Sequence, residues 1–114
     1  PAALTDAYRG AWVTALPSEN EAFGLVVAES LACGTPGVAF AGEGPAEVIT
    51  GDDVGRIAPE PTPEALAAAL LGALELAHDA ATRERCRAAV AHLGVPEHAA
   101  ATLAIYGTAL ARSA

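Results

Sequence analysis

The sequence predicts an α/β fold: a short parallel sheet of about three strands flanked by helices, with further helices toward the C-terminal end. Three observations predict it. Segments with apolar residues at helical spacing alternate along the chain with short apolar runs. Those runs are continuously apolar, the pattern of strands covered on both faces. The turns that bound them are rich in Gly and Pro, and successive runs are far enough apart for the crossover that parallel strands need.

The elements follow in order. Leu4, Ala7, Tyr8 and Ala11 recur at helical spacing and predict a helix from Ala2 to Ala11. Trp12 to Leu16 reads as a short strand closed by Pro17-Ser18. Phe23 to Cys33 is helical again; Gly34 supplies the C-cap and Pro36 forbids continuation. Gly37 to Phe40 is a second buried strand. Pro45 to Thr50 reads as a helical turn or two with Pro at its first position, and Gly51-Asp52-Asp53 as a turn before a third strand, Val54 to Ala58. A Pro-rich stretch then leads into an Ala/Leu helix from Pro63 to about His78, N-capped by Thr62. Helices from Ala81 to Leu93 and from Pro96 to Arg112 close the chain, and no internal repeat is present.

Composition narrows the function. The 114 residues are 53% hydrophobic and 18% charged, enough apolar material for the core of one small domain. The 14 acidic residues outnumber the 6 basic ones, all of them Arg, for a net charge of −8. There is no basic stripe for nucleic acid and no polybasic cluster for an anionic membrane. The 2 cysteines, Cys33 and Cys86, belong to no metal-ligand spacing, so a reducing cytoplasm is the simpler setting. No apolar run approaches the ~20 residues of a bilayer span, and no signal peptide is visible after Pro1.

The informative stretch runs from Pro17 to Glu29: a polar loop after a strand, opening into a helix. In a parallel sheet that junction is the carboxyl end of a strand, where ligands bind. The first turn of a helix offers free N–H groups and a partial positive charge to a phosphate, with no Lys or Arg required. Gly24 removes the side chain that would block close approach. Glu21 lies just ahead of the helix. Glu29 lies roughly 9 Å along it from a start near Phe23, where a carboxylate suits the two donors of a ribose diol. A lone glutamate on a helix is also ordinary solvated surface, and Glu21 also simply favours a helix N-terminus.

Beyond this spacing, the stretch from Leu16 to Val48 resembles the donor-binding half of retaining glycosyltransferases of the GT-B fold, the large group 1 family. The family pattern places two glutamates around E-x-F-G-x, then E-A-x-A-C-G-x-P and G-x-P-E-V. Here stand Glu21-Ala22-Phe23-Gly24-Leu25, then Glu29-Ser30-Leu31-Ala32-Cys33-Gly34-Thr35-Pro36, then Gly44-Pro45-Ala46-Glu47-Val48. The later loop, strand and Ala/Leu helix resemble the family's continuation, so the likeness covers nearly the whole chain. Ser30 replaces the commoner Ala, and Gly37 stands where a β-branched residue is usual, which predicts a weakened strand.

The resemblance implies a partial Rossmann-like three-layer domain. It implies Glu21 against the donor sugar as the catalytic carboxylate, main-chain contacts to sugar and phosphate from Phe23, Gly24 and Leu25, and Glu29 on the ribose. It implies a nucleotide-diphosphate sugar as donor, an acceptor not specified by these residues, transfer with retention, and neither cofactor nor metal. The family also uses an upstream basic pair, base-reading loops, an N-terminal acceptor domain and often a catalytic His. Residues 1–16 supply none of these, and Arg9 falls on a helix. Residues 1–114 are therefore expected to be the C-terminal half of the nucleotide-sugar-binding domain, cut from a longer cytoplasmic enzyme whose N-terminal domain is its missing partner. Peripheral membrane association of that enzyme is left open. Alone, the fragment is expected to be inactive and to self-associate. A non-catalytic sugar-nucleotide-binding or assembly module is the alternative. A receiver domain of similar length needs a Lys near its end, and the chain has none.

Smaller features carry less. Asp52-Asp53 lacks a third ligand and reads as a turn. His78, His92 and His98 fall far along the chain from the motif and read as surface. Arg83, Arg85 and Arg87 read as a solvated face balancing Glu84, and Cys33 as a small buried residue at a helix end.

Overall fold

The computed structural model describes residues 2–19, 24–42, 44 and 48–93. Within them the chain runs α1 (Ala2–Gly10), β1 (Thr14–Leu16), α2 (Leu25–Ala32), β2 (Gly37–Phe40), β3 (Gly55–Ala58), α3 (Pro63–Leu76) and α4 (Thr82–Ala89), then a 3₁₀ turn, Ala91–Leu93. The strands form one parallel sheet in the order β1-β2-β3, with Leu16 opposite Ala39 and Ala39 opposite Ile57. The α/β class, the parallel sheet and the flanking helices are as predicted.

Alternation along β2 assigns the two faces. Ala39 joins Val27, Ala28 and Leu31 of α2, Val48, Ile49, Val54, and Cys86 and Val90 at α4, with Leu16 and Ile57 packed alongside. Val38 and Ala58 point the other way and meet Ala69 and Ala73 of α3, with Val13, Phe40, Leu66 and Leu70 partly buried around them. Two glycines make the α2 side close-packed. A Cβ at Gly37 would sit 2.9 Å from Val27 Cγ1, and one at Gly55 would fall on the Gly37 carbonyl oxygen of the neighbouring strand. Gly37 is thus the space that lets α2 lie down on the sheet, which accounts for its departure from the β-branched pattern.

Element ends differ from the sequence reading for identifiable reasons. β1 begins at Thr14 because the chain bends at Trp12, whose side chain is 73% exposed. α2 begins at Leu25 because Gly24 adopts φ 76°, ψ 48°, a left-handed conformation that a right-handed helix cannot include. α3 starts where expected: Thr62 Oγ1 accepts from the Ala65 N–H at 3.2 Å, with Pro63 in the first turn. α4 stops at Ala89, ahead of the expected Leu93, because Val90 leaves helical geometry at φ −116°, ψ 9°. Of the turns expected over Pro45 to Thr50, Val48 is helical and residues 45–47 lie outside the described residues, as does the expected helix from Pro96 to Arg112.

Candidate functional site

The loop that leaves β1 delivers the chain to Gly24, so the start of α2 lies on the strand-end side of the sheet, where its positive dipole end is displayed. Among the described residues no side chain caps this helix; the Gly24 carbonyl accepts from the N–H groups of Val27 and Ala28 at 3.0 and 3.1 Å. Gly24 is buried, whereas Leu25 and Val26 are exposed. Glu21 and Phe23, read from the sequence as the sugar-side carboxylate and a main-chain contact, lie outside the described residues.

Glu29 sits about 6 Å along the helix axis from Leu25, partly buried, on the side of α2 that faces α1. It lines a groove of about 290 Å³ together with Leu4, Thr5 and Tyr8 of α1 and Ala32 and Cys33 at the end of α2. Neither Gly24 nor Leu25 lines that groove. The carboxylate is held there: Tyr8 donates its hydroxyl to Glu29 Oε2 at 3.0 Å. Burial, then the hydrogen bond to Glu29 and the negative charges of Glu29 and Cys33, push the Tyr8 hydroxyl's pKa above its ordinary value of 10.0.

A closed circuit of hydrogen bonds supports this pair. Thr35 Oγ1 donates to the Tyr8 carbonyl. The buried Ser30 donates its hydroxyl to the Thr35 carbonyl at 2.9 Å, and the Thr35 N–H returns to the Ser30 carbonyl at 3.0 Å. Ser30 follows Glu29 directly, so the circuit ends beside the carboxylate it began from. Ser30 therefore does work that Ala cannot: it ties the end of α2 to the segment entering β2. Sequence reasoning missed Tyr8, Ser30 and Thr35. Tyr8 was visible only as an apolar helical position, and its hydroxyl gains meaning only once α1 and α2 lie side by side.

The arginines of α4 are more specific than a solvated face. Arg83 donates to the Arg9 carbonyl at 2.8 Å and the Cys33 carbonyl at 3.5 Å, placing one guanidinium at the negative ends of both α1 and α2. Arg85 pairs with Asp79 at 3.0 Å and reaches Asp53 at 3.9 Å. The backbone N–H of Ala81 and then Arg85 hold the Asp79 carboxyl below its usual pKa. Gly51-Asp52-Asp53 form a turn as expected, but the turn takes in Val54 as well, so β3 begins at Gly55 and not at the expected Val54. His78 and His92 are exposed, and His98 lies outside the described residues. Among the described residues no three His, Cys, Asp or Glu side chains gather as a metal cluster, and no helix is long and apolar enough to cross a membrane.

Comparison with known proteins adds to this geometry. Residues 1–92 match the family model described as glycosyl transferases group 1. The chain is 46% identical over 112 residues to D-inositol 3-phosphate glycosyltransferase of Xylanimonas cellulosilytica, a match covering 96% of the chain and 26% of that protein. It is 40% identical over 121 residues to the protein of the same name from Kineococcus radiotolerans, covering 96% and 27%. With that of Kribbella flavida the identity is 42% over 110 residues, covering 93% and 25%. The chain spans about a quarter of the length of these relatives.

Proposed function

The chain belongs to the group 1 glycosyl transferase family, and on that footing we propose that it forms the donor-binding part of an enzyme that moves a sugar from a nucleoside diphosphate sugar to an acceptor, with retention, on a GT-B scaffold. The observation that carries this reading is Glu29, a carboxylate fixed in a groove between α1 and α2 with one oxygen engaged by Tyr8 and lone pairs left for a diol. In this reading Glu29 accepts from the two ribose hydroxyls. The main chain of Phe23, Gly24 and Leu25 holds the sugar and pyrophosphate at the positive end of α2. Glu21 lies against the donor sugar, where its charge stabilises oxocarbenium character as the glycosidic bond opens. Neither metal nor cofactor takes part, and the setting is the cytoplasm. The name shared by the relatives supports a phosphorylated inositol as the acceptor of the whole protein.

Calorimetry on the whole protein with a nucleoside diphosphate tests the assignment. Glu29→Ala weakens binding by roughly 1.5–3 kcal/mol, the worth of hydrogen bonds to a charged acceptor, while Glu21→Ala lowers turnover more than affinity. Lost binding in Glu21→Ala with intact binding in Glu29→Ala reverses the two roles. Residues 1–114 alone are inactive in this reading and self-associate through the outer edges of β1 and β3. A monodisperse monomer in light scattering that hydrolyses a sugar nucleotide contradicts that.

A further inference from the structure

We propose that Tyr8 is a positioning residue for Glu29: its hydroxyl holds the carboxylate in the orientation that presents the remaining lone pairs to a vicinal diol. The proposal rests on the reading of Glu29 as the ribose acceptor and adds a residue that neither the motif nor the family match supplies. Three observations carry it. First, the hydroxyl donates to one carboxylate oxygen at 3.0 Å, and both side chains line the same groove, so the contact borders open space that a ligand can enter. Second, Tyr8 is itself held. Thr35 Oγ1 donates to its carbonyl, and Arg83 donates to the carbonyl of the next residue, Arg9, at 2.8 Å. The last turn of α1 is thereby tied both to the approach to β2 and to α4. Third, the lone pairs suffice. A carboxylate offers about four acceptor sites; Tyr8 takes one, and two ribose hydroxyls need two more.

The physical gain is preorganisation. A partly exposed Glu samples several rotamers, and a ligand that must select one binds more weakly by that lost freedom. A donor on a neighbouring helix makes the selection in advance. The role requires a protonated hydroxyl, which a tyrosine already has at neutral pH at its ordinary value of 10.0.

The test titrates the whole protein by calorimetry with UDP and GDP and with their 2′,3′-dideoxy counterparts, for wild type, Tyr8→Phe, Glu29→Gln and the double variant. Phe keeps the ring, so thermal melting of Tyr8→Phe checks that α1 stays packed. The expected result is that Tyr8→Phe weakens the ribonucleotide about fivefold, barely changes the dideoxy form, and adds little on top of Glu29→Gln. Equal weakening of the ribo and dideoxy forms, or full additivity with Glu29→Gln, overturns the proposal and leaves Tyr8 a simple helix-to-helix contact. A ribose-dependent loss in Glu29→Gln with none in Tyr8→Phe removes Tyr8 while the reading of Glu29 stands. A Glu29→Gln variant without ribose dependence, or a wild type that binds neither nucleotide, takes down that reading and the Tyr8 role with it.

Discussion

On the face that carries α2 and α4, the sheet meets Val27, Leu31, Ile49, Val54 and Cys86; on the face that carries α3 it meets chiefly Ala69 and Ala73. The first face is filled by large buried side chains; on the second the buried helix residues are alanines, and the larger Leu66 and Leu70 are only partly buried. α2 is apolar almost all round, and it is wedged between the sheet, α1 and α4. α3 lies across β2 and β3 and leaves Leu71 exposed on its outer side. The contrast follows the site. In the proposed reading Glu29 is a binding group borne by α2, a helix packed between the sheet, α1 and α4, and such a support leaves less reorganisation when a ligand arrives.

The comparison breaks most visibly at Leu31, which is fully buried. Leu31→Ala should cost about 2–5 kcal/mol through a cavity under α2, whereas Ala73→Gly on the other face should cost only about 1 kcal/mol, through helix propensity. Urea unfolding of both variants reads the difference, and equal losses would show that the two faces are not built differently.

A smaller effect lies in Cys86. Burial pushes its thiol from 9.0 up to about 11, against the opposing pull of Arg85. The folded state therefore keeps the proton to a higher pH than the unfolded chain. Its contribution is complete below pH 9.0 and is lost as the pH rises toward about 11, on the order of 2 kcal/mol in all. Urea melts across this range should steepen that decline in wild type relative to Cys86→Ala. The partly exposed Cys33 should also react with a thiol reagent well before Cys86.

The smallest change is Thr62→Ala, which removes the acceptor for the Ala65 N–H and should cost about 1 kcal/mol. Fraying confined to the start of α3, read by amide exchange, would sharpen the view of that helix as a cover; exchange spreading into β2 would blur it.

What was legible in the sequence was local. β2, the start of α3 and its Thr62 cap depend on neighbours in the chain, and each appears where pattern and cap chemistry put it. Gly24 was recognised as special, but its left-handed backbone, which moves the start of α2 to Leu25, is not written in apolar periodicity. Trp12 reads as strand by residue type, yet the bend leaves it in solvent. The partners of Tyr8, Arg83 and Arg85 lie on other elements and become visible only once those elements pack. Glu29 is marked in the sequence by its position in the motif; the groove around it and the Tyr8 hydroxyl that donates to it are supplied by the fold.

The strand order β1-β2-β3 also bears on how the chain reaches this state. Each strand pairs with its immediate successor, so the sheet is assembled by closing only residues 17–36 and then 41–54. Short closures are entropically cheap, and a topology built from them folds quickly for a parallel sheet. Because β2 belongs to both pairings, a nucleus without it has no sheet to grow on. Amides of β2 should gain protection first in pulse-labelled refolding. During synthesis, the unit formed by β1, α2 and β2 can be complete before α3 leaves the ribosome.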